Sequence, residues 1–294
     1  MSAPVLMLIA SFLFASMGVC VKLASAQYGA GEIVLYRGLV GALFILVLTR
    51  LRGGTVKTSL PAMHFWRSLT GVCSLVLWFY SIGKLPLATA ITLNYMSSVW
   101  MALFLIGGAV LLGAAKVDAR LVATVLAGFA GVALVLQPSI DKDQFWGALA
   151  GLLSGMIAAM AYLQVTALGR AGEPESRVVF YFSIGGIAAG ALLAAFQGGL
   201  HGHSWSGAAL LLATGLLATG AQIMMTRAYT IGRTLSNASL QYLGIAWAFL
   251  YGVLIFDDPV TWVALAGMAL IVAAGLAATL LRSQAAPSTA SPTE

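Results

Sequence analysis

Charge is what this chain has least of. Only 8% of its 294 residues are Asp, Glu, Lys or Arg, while 61% are hydrophobic and the mean hydropathy is +0.97. A soluble domain carries roughly 25% charged residues, so there is too little polar surface here to cover a water-facing globule. The same apolar content excludes disorder. Acidic residues are the scarcest, nine against fifteen Lys and Arg, and none of the nine falls in the middle of an apolar run. The positive surplus of +6 is spread through connecting segments rather than gathered in a patch, which argues against a nucleic-acid partner. Cysteine is nearly absent. Cys20 and Cys73 sit in apolar runs without metal-ligand spacing and are expected as core-packing thiols.

Proline is missing from the interiors of those runs. Pro4, Pro61, Pro86, Pro138, Pro174 and Pro259 stand at their edges, where the lost backbone donor does least harm to a helix. At roughly 20 residues per span, the chain reads as an all-α integral membrane protein of ten transmembrane helices. They are expected near 4–24, 31–51, 62–83, 87–112, 119–137, 145–168, 177–197, 206–230, 234–256 and 260–281. Ala24-Ser25-Ala26 resembles a signal-peptidase site, but no Lys or Arg precedes it within the first seven residues, so the first helix is expected to be retained. With a cytoplasmic N-terminus, eleven Lys and Arg fall near inner ends or loops, Arg67 among them, and Lys22, Lys84 and Lys142 fall near outer ones. That positive-inside bias predicts a multi-pass protein of the plasma (inner) membrane with both termini cytoplasmic.

The chain repeats itself. Tyr80-Ser-Ile-Gly-Lys84 matches Tyr229-Thr-Ile-Gly-Arg233, and Thr92-Leu-Asn-Tyr-Met-Ser-Ser-Val-Trp100 matches Ser239-Leu-Gln-Tyr-Leu-Gly-Ile-Ala-Trp247. The repeating unit is five spans, an odd number, so the second copy must enter the membrane from the opposite side. The organisation expected is a first repeat over 1–140, an inverted second repeat over 141–282 and a disordered cytoplasmic tail over 283–294. Inverted repeats of this kind place a substrate site near the midplane and open it alternately to either side.

The segment Leu85 to Trp100 and the segment Ser236 to Pro259, within this 5+5 arrangement, resemble the drug/metabolite transporter superfamily, EamA type. The resemblance covers the chain up to Arg282. It implies a small-molecule transporter rather than an enzyme, and the aromatic content resembles that of the aromatic amino-acid exporters within the superfamily. Uptake of a nucleoside-like or vitamin-like metabolite is the alternative on the same fold. An intramembrane enzyme would need a nucleophile–base pair or a metal cluster, and the spans hold neither a His-Glu-x-x-His motif nor a Ser–His–Asp set. A channel would need a more continuous polar lining. No cofactor and no metal are expected.

Polar side chains within spans are costly in lipid and are expected to face a cavity or another helix. The candidate substrate-binding residues are Tyr80, Asn94, Tyr95, Trp100, Tyr162, Gln164, Gln222, Gln241, Tyr242 and Trp247. Asn94 with Gln241, Tyr95 with Tyr242 and Trp100 with Trp247 occupy equivalent repeat positions. Rings would stack on an amphipathic aromatic solute while amides pair with its polar end. Trp66, Trp146, Trp205 and Trp262 lie at span ends and read as interfacial anchors. Gly147, Gly151 and Gly155, and Gly186 with Gly190, form small-residue faces for close helix contact, within one chain more readily than between two; a monomer or weak homodimer is expected. With no acidic residue in mid-span, facilitated diffusion is expected in place of proton coupling. Arg37, the one cation assigned to a span interior, is expected to snorkel outward or pair with Glu32 in preference to a third reading, contact with a substrate carboxylate. His201 and His203 are expected in a solvated loop.

Overall fold

The computed structural model describes residues 1–111, 142–232 and 240–285, with residues 120, 123, 126–128, 130, 131, 134 and 237 in addition. Every regular element among these residues is an α-helix. In chain order they are α1 (Ala3–Ala24), α2 (Ala30–Leu51), α3 (Pro61–Lys84), α4 (Leu87–Tyr95), α5 (Ser97–Leu111), α6 (Lys142–Arg170), α7 (Glu175–Phe196), α8 (Trp205–Ile231), α9 (Leu243–Phe256) and α10 (Trp262–Ala285). Five are long and apolar enough to cross a membrane: α1, α2, Gln144–Arg170 of α6, α7 and α8. Helix α3 is as long, 24 residues, but carries His64, Arg67 and several hydroxyl groups. Prolines open helices as expected: Pro61 is the first residue of α3, and Pro174 stands just before α7. The fifth expected span, 119–137, lies largely outside the described residues, as do 286–294 of the expected tail. The last helix runs on to Ala285, past the expected border at 282.

The fourth and ninth expected spans are not continuous helices. Met96 interrupts the fourth between α4 and α5, where the Val99 N–H turns back to the Met96 carbonyl three residues away (2.9 Å). The same tightening recurs at Gln241 and Tyr242, whose carbonyls accept from Gly244 and Ile245 (2.8 and 3.0 Å), just before α9. The two interruptions fall within two residues of each other in the repeat register. Neither contains Pro or Gly, so composition does not announce them. At the first, Gly155 of α6 lies against the carbonyls of Leu93 and Asn94, which a side chain at 155 would strike.

The most extensive pairings are α2 with α7, α3 with α6 and α1 with α8. All three join the first half of the chain to the second, and all three are antiparallel. Along α2 and α7, Gly31 meets Leu193, Gly190 meets Leu35, Gly38 meets Ile187 and Gly41 meets Ser183. Along α3 and α6, Lys84 meets Gly147 and Thr70 meets Gln164. Along α1 and α8, Ala3 meets Gly232 and Tyr28 meets Gly207. The small-residue faces of α6 and α7 are therefore used inside the chain. Exchanging the two halves turns the α1–α8 pairing into α3–α6 and leaves α2–α7 unchanged.

Helix α1 begins at one face of the layer, called here the first face, and α2 begins at the opposite, second face. At the second face Lys22 binds Asp258 (3.0 Å), whose other oxygen caps the Leu87 N–H at the start of α4 (3.0 Å). The tryptophans at positions 66, 146, 205 and 262 are exposed at helix ends, as expected of anchors. Cys73 is exposed on the outer surface and Cys20 half-buried, so the expectation of two core thiols is corrected. On α3, Cys73 stands two residues, or about 200°, round the helix from the buried Gly71 and so turns away from the interior.

Candidate substrate cavity

A cavity of about 50 Å³ lies between α1, α2, α3, α4, α6, α7 and α8. Its apolar wall is aromatic: Phe14, Trp78, Tyr162 and Phe182. Its polar wall holds Arg37, Arg67, Ser74, Asn94 and Gln222. Three of the ten sequence candidates, Asn94, Tyr162 and Gln222, are therefore on the wall. Asn94 donates to Ser154 Oγ (2.9 Å), and Ser154 is tied in turn to α3, its carbonyl accepting from Ser74 (2.9 Å).

The other seven candidates stand elsewhere. Tyr80 is 39% exposed and faces outward, being two residues, or about 200°, round α3 from the wall residue Trp78. Gln164 accepts from Thr70 (2.7 Å) and links α3 to α6. Tyr95 packs on Gly244 at the start of α9. Gln241 donates to the Tyr229 hydroxyl (3.2 Å), and Tyr229 stacks on Tyr162 at 5.6 Å. Tyr242 is buried in the core beside these groups. Trp100 stacks on Phe104 and Trp247 meets Phe12 edge-on. The repeat-paired residues Tyr95, Gln241 and Tyr242 thus gather around the two helix interruptions, where they brace helices.

The residues that sequence reasoning misplaced are the two arginines. Arg37 neither snorkels nor reaches Glu32. It is 4% exposed, its guanidinium is 5.0 Å from the Phe182 ring, and Nη2 is 3.5 Å from Gln222 Oε1. Five residues separate Glu32 from Arg37, which is about 140° around a helix, so the two side chains leave α2 on different sides. Arg67 was assigned to an inner end; it is 2% exposed and sits 4.4 Å from the same ring. Its guanidinium folds back over Gly71, one turn along α3, where any side chain would collide with it. That i to i+4 Arg–Gly spacing is the signal present in the sequence.

The fully buried polar atoms of the wall that lack a partner are donors. Arg37 Nε, Arg67 Nε and Nη1, Trp78 Nε1 and Gln222 Nε2 are buried without a partner among the described residues. Among the described residues no carboxylate lines the cavity. A buried cation without a counter-charge is costly, and cation–π contact with Phe182 offsets only part of that, about 2 kcal/mol where desolvated. The arrangement is complementary to an acceptor-rich, negatively charged group set against aromatic surface. At about 50 Å³ the cavity has room for a few water molecules, whereas sites for small organic ligands span roughly 300–1,000 Å³. Admitting a solute therefore requires the helices to separate. A larger concavity of about 390 Å³ between α2 and α8 is lined only by Val, Leu and Phe and suits an acyl chain rather than a polar solute.

Residues 1–137 match the EamA-like transporter family. The pseudopaline exporter CntI of Pseudomonas aeruginosa is 31% identical over 94% of this chain and 95% of its own length. A riboflavin transporter of Rhizobium johnstonii is 29% identical over 78% of this chain and 74% of its own. A solved crystal structure covers 97% of this chain and 99% of its own, with a TM-score of 0.66 at 19% identity, a likeness of fold alone. With a relative above 30% identity over nearly its whole length, and with the apolar helices already described, the chain is a membrane protein that belongs to the EamA-like transporter family.

Proposed function

We propose that this protein exports small amphipathic metabolites that carry a carboxylate, aromatic amino acids being the simplest cargo of that class. The observation that carries the reading is the pair of buried arginines, Arg37 and Arg67, that lie over one phenyl ring on the polar wall of an aromatic cavity with no carboxylate partner among the described residues. The guanidinium groups take the carboxylate, which guanidinium forks match in geometry, and Phe14, Trp78, Tyr162 and Phe182 take the apolar part. The similarity to a pseudopaline exporter supports export of a metabolite.

Alternating access on an inverted repeat is the mechanism this reading invokes. Three antiparallel cross-half pairings and two helix interruptions in equivalent register support it. The interior Lys and Arg distribution supports cytoplasmic termini in the inner membrane. Because no carboxylate among the described residues lines the cavity, this reading has transport follow the cargo gradient. In reconstituted vesicles, aromatic amino acids should exchange in counterflow without an imposed proton or sodium gradient and stop at equal concentrations. Their amides, lacking the carboxylate, should not exchange. Concentrative uptake that appears only with a pH step would overturn the facilitator reading. A second reading, uptake of a vitamin-like metabolite, is favoured by the similarity to a riboflavin transporter; counterflow of a neutral vitamin that survives Arg37→Ala and Arg67→Ala would replace the first reading with the second.

A further inference from the structure

Two buried carboxylates are held at opposite ends of the α2–α7 pair. At the second face, the fully buried Glu32 accepts from the His201 backbone N–H (3.3 Å) and lies 2.8 Å from His201 Nδ1 and 3.6 Å from His203 Nε2. The rings of Tyr28 and Tyr36 flank His203 at 5.5 and 5.1 Å. At the first face, the buried Glu173 accepts from Thr58 (3.0 Å) and Arg177 (3.1 Å) and lies 3.1 Å from His64 Nε2. The ring of Tyr181 covers His64 at 4.5 Å, and Arg67 and Arg177 are the cations near it.

No sequence motif joins these clusters, but position does. Glu32 lies in the first turn of α2 and reaches the segment between α7 and α8. Glu173 lies just ahead of α7 and reaches Thr58, between α2 and α3, and His64 in the first turn of α3. Exchanging the two halves of the chain converts one arrangement into the other. Each cluster ties a helix of one half to a connecting segment of the other, at one face only. Both are formed while the cavity between them is only about 50 Å³.

We propose that these are paired latches, Glu32 with His201 and His203 closing the second face and Glu173 with His64 closing the first, and that the cavity opens to a face only when that face's latch parts. The inference rests on the alternating access proposed above. A protonated imidazole holds a carboxylate by charge and hydrogen bond together, and a neutral one by hydrogen bond alone. At the second face the partners lie in an exposed loop, and at the first face Arg177 adds a permanent charge to the hold on Glu173.

The test uses the full chain with Cys20→Ser and Cys73→Ser, reconstituted in vesicles, with Ser74→Cys as a reporter thiol on the cavity wall and an impermeant maleimide on one side. Glu32→Gln should raise labelling from the second face severalfold and leave the first unchanged; Glu173→Gln should do the reverse. Because Glu173→Gln strands buried donors and can unfold the chain, His64→Gln, which keeps a donor and removes the charge, is the second variant there. The pair His201→Gln and His203→Gln, in a loop, should reproduce Glu32→Gln. Equal increases at both faces, or no change at either, would overturn the latches. Counterflow on the same vesicles separates the two readings: exchange without a latch response removes the latches alone, whereas no exchange in the unmodified chain removes the transport reading.

Discussion

Buried charge is handled in opposite ways at the ends of this molecule and in its middle. At the ends, Glu32 and Glu173 each meet protein cations or imidazoles within 2.8 to 3.6 Å. In the middle, Arg37 and Arg67 meet a phenyl ring and one amide, with donors left over. On the reading proposed above, a fold that supplies a carboxylate at both ends but, among the described residues, none to the central cations leaves those cations for the cargo, so that balanced charge closes and unbalanced charge binds.

The largest effect that would break this contrast comes from the arginines. Arg67→Ala or Arg37→Ala should lower counterflow of a carboxylated cargo by at least about 30-fold, since truncating one member of a buried, hydrogen-bonded charge pair costs about 2–5 kcal/mol. The variants should not be less stable in a thermal melt of the empty protein, because a desolvated cation with no counter-ion is removed. Loss of stability together with equal loss for carboxylated and amidated cargoes would make the arginines structural and dissolve the distinction. Next in size is Gln222→Glu, which would bring to Arg37 the kind of partner the end clusters already have. Gln222 Oε1 is 3.5 Å from Arg37 Nη2, close enough for a carboxylate to pair with it. The melting temperature should rise while anionic cargo is excluded. A rise in transport would show that the site wants neutral or cationic solutes.

The sequence discloses the helices far better than it discloses this charge arrangement. Borders set by Pro61 and Pro174, and close packing at Gly151, Gly155 and Gly190, follow from properties of one residue type and its neighbours, so they are readable locally. The interruption at Met96 is not, because it is imposed by α6 pressing on the Leu93 and Asn94 carbonyls through Gly155. For Arg67, near the start of α3, the only local signal is Gly71 one turn on, and the Phe182 ring on which its guanidinium lies belongs to the other half of the chain. The Glu–His contacts span 109 and 169 residues, and nothing local marks either end. Of the ten polar candidates, Asn94, Tyr162 and Gln222 reach the wall. The pairing of Tyr95 with Tyr242 points instead to the interruptions, where Tyr95 packs on Gly244 and Tyr242 stands just before α9.

A smaller effect sharpens the other side of the contrast, through pH. Burial alone would push the Glu173 carboxyl up, but hydrogen bonds from His64, Thr58 and Arg177 and the charge of Arg177 outweigh it and hold the group below the usual carboxylate range. A carboxyl with a depressed folded-state value stabilises the fold fully above its unfolded value, about 4.3, and that contribution is lost as pH falls through the lower folded value. Acid melts should therefore show a steeper loss of stability below about pH 4.3 for the unmodified chain than for Glu173→Gln. Parallel acid limbs for the two proteins would mean that Glu173 is not held as an ion and that the first-face cluster is not a charged pair.

The smallest expected effect concerns the rings. Tyr162 lines the cavity and is itself held by stacking on Tyr229, whose hydroxyl accepts from Gln241. Tyr162→Leu keeps apolar bulk but removes the aromatic face, so an aromatic cargo should lose about 0.5–1.5 kcal/mol, or several-fold to about tenfold in apparent affinity. An aliphatic cargo with the same carboxylate should be nearly unaffected, because its anchor is the guanidinium pair. Dose–response counterflow with phenylalanine and leucine as matched competitors measures the difference directly. Gln241→Leu tests the bracing behind the ring: it keeps Tyr162 and removes the contacts of Gln241 to the Tyr229 hydroxyl and Met225 Sδ. If Gln241→Leu costs the aromatic cargo as much as Tyr162→Leu does, the ring is a positioning element of the helix interruption. If only Tyr162→Leu discriminates between the two competitors, the ring itself reads the cargo, and the central cavity divides its labour between cations for the acid and arene for the side chain.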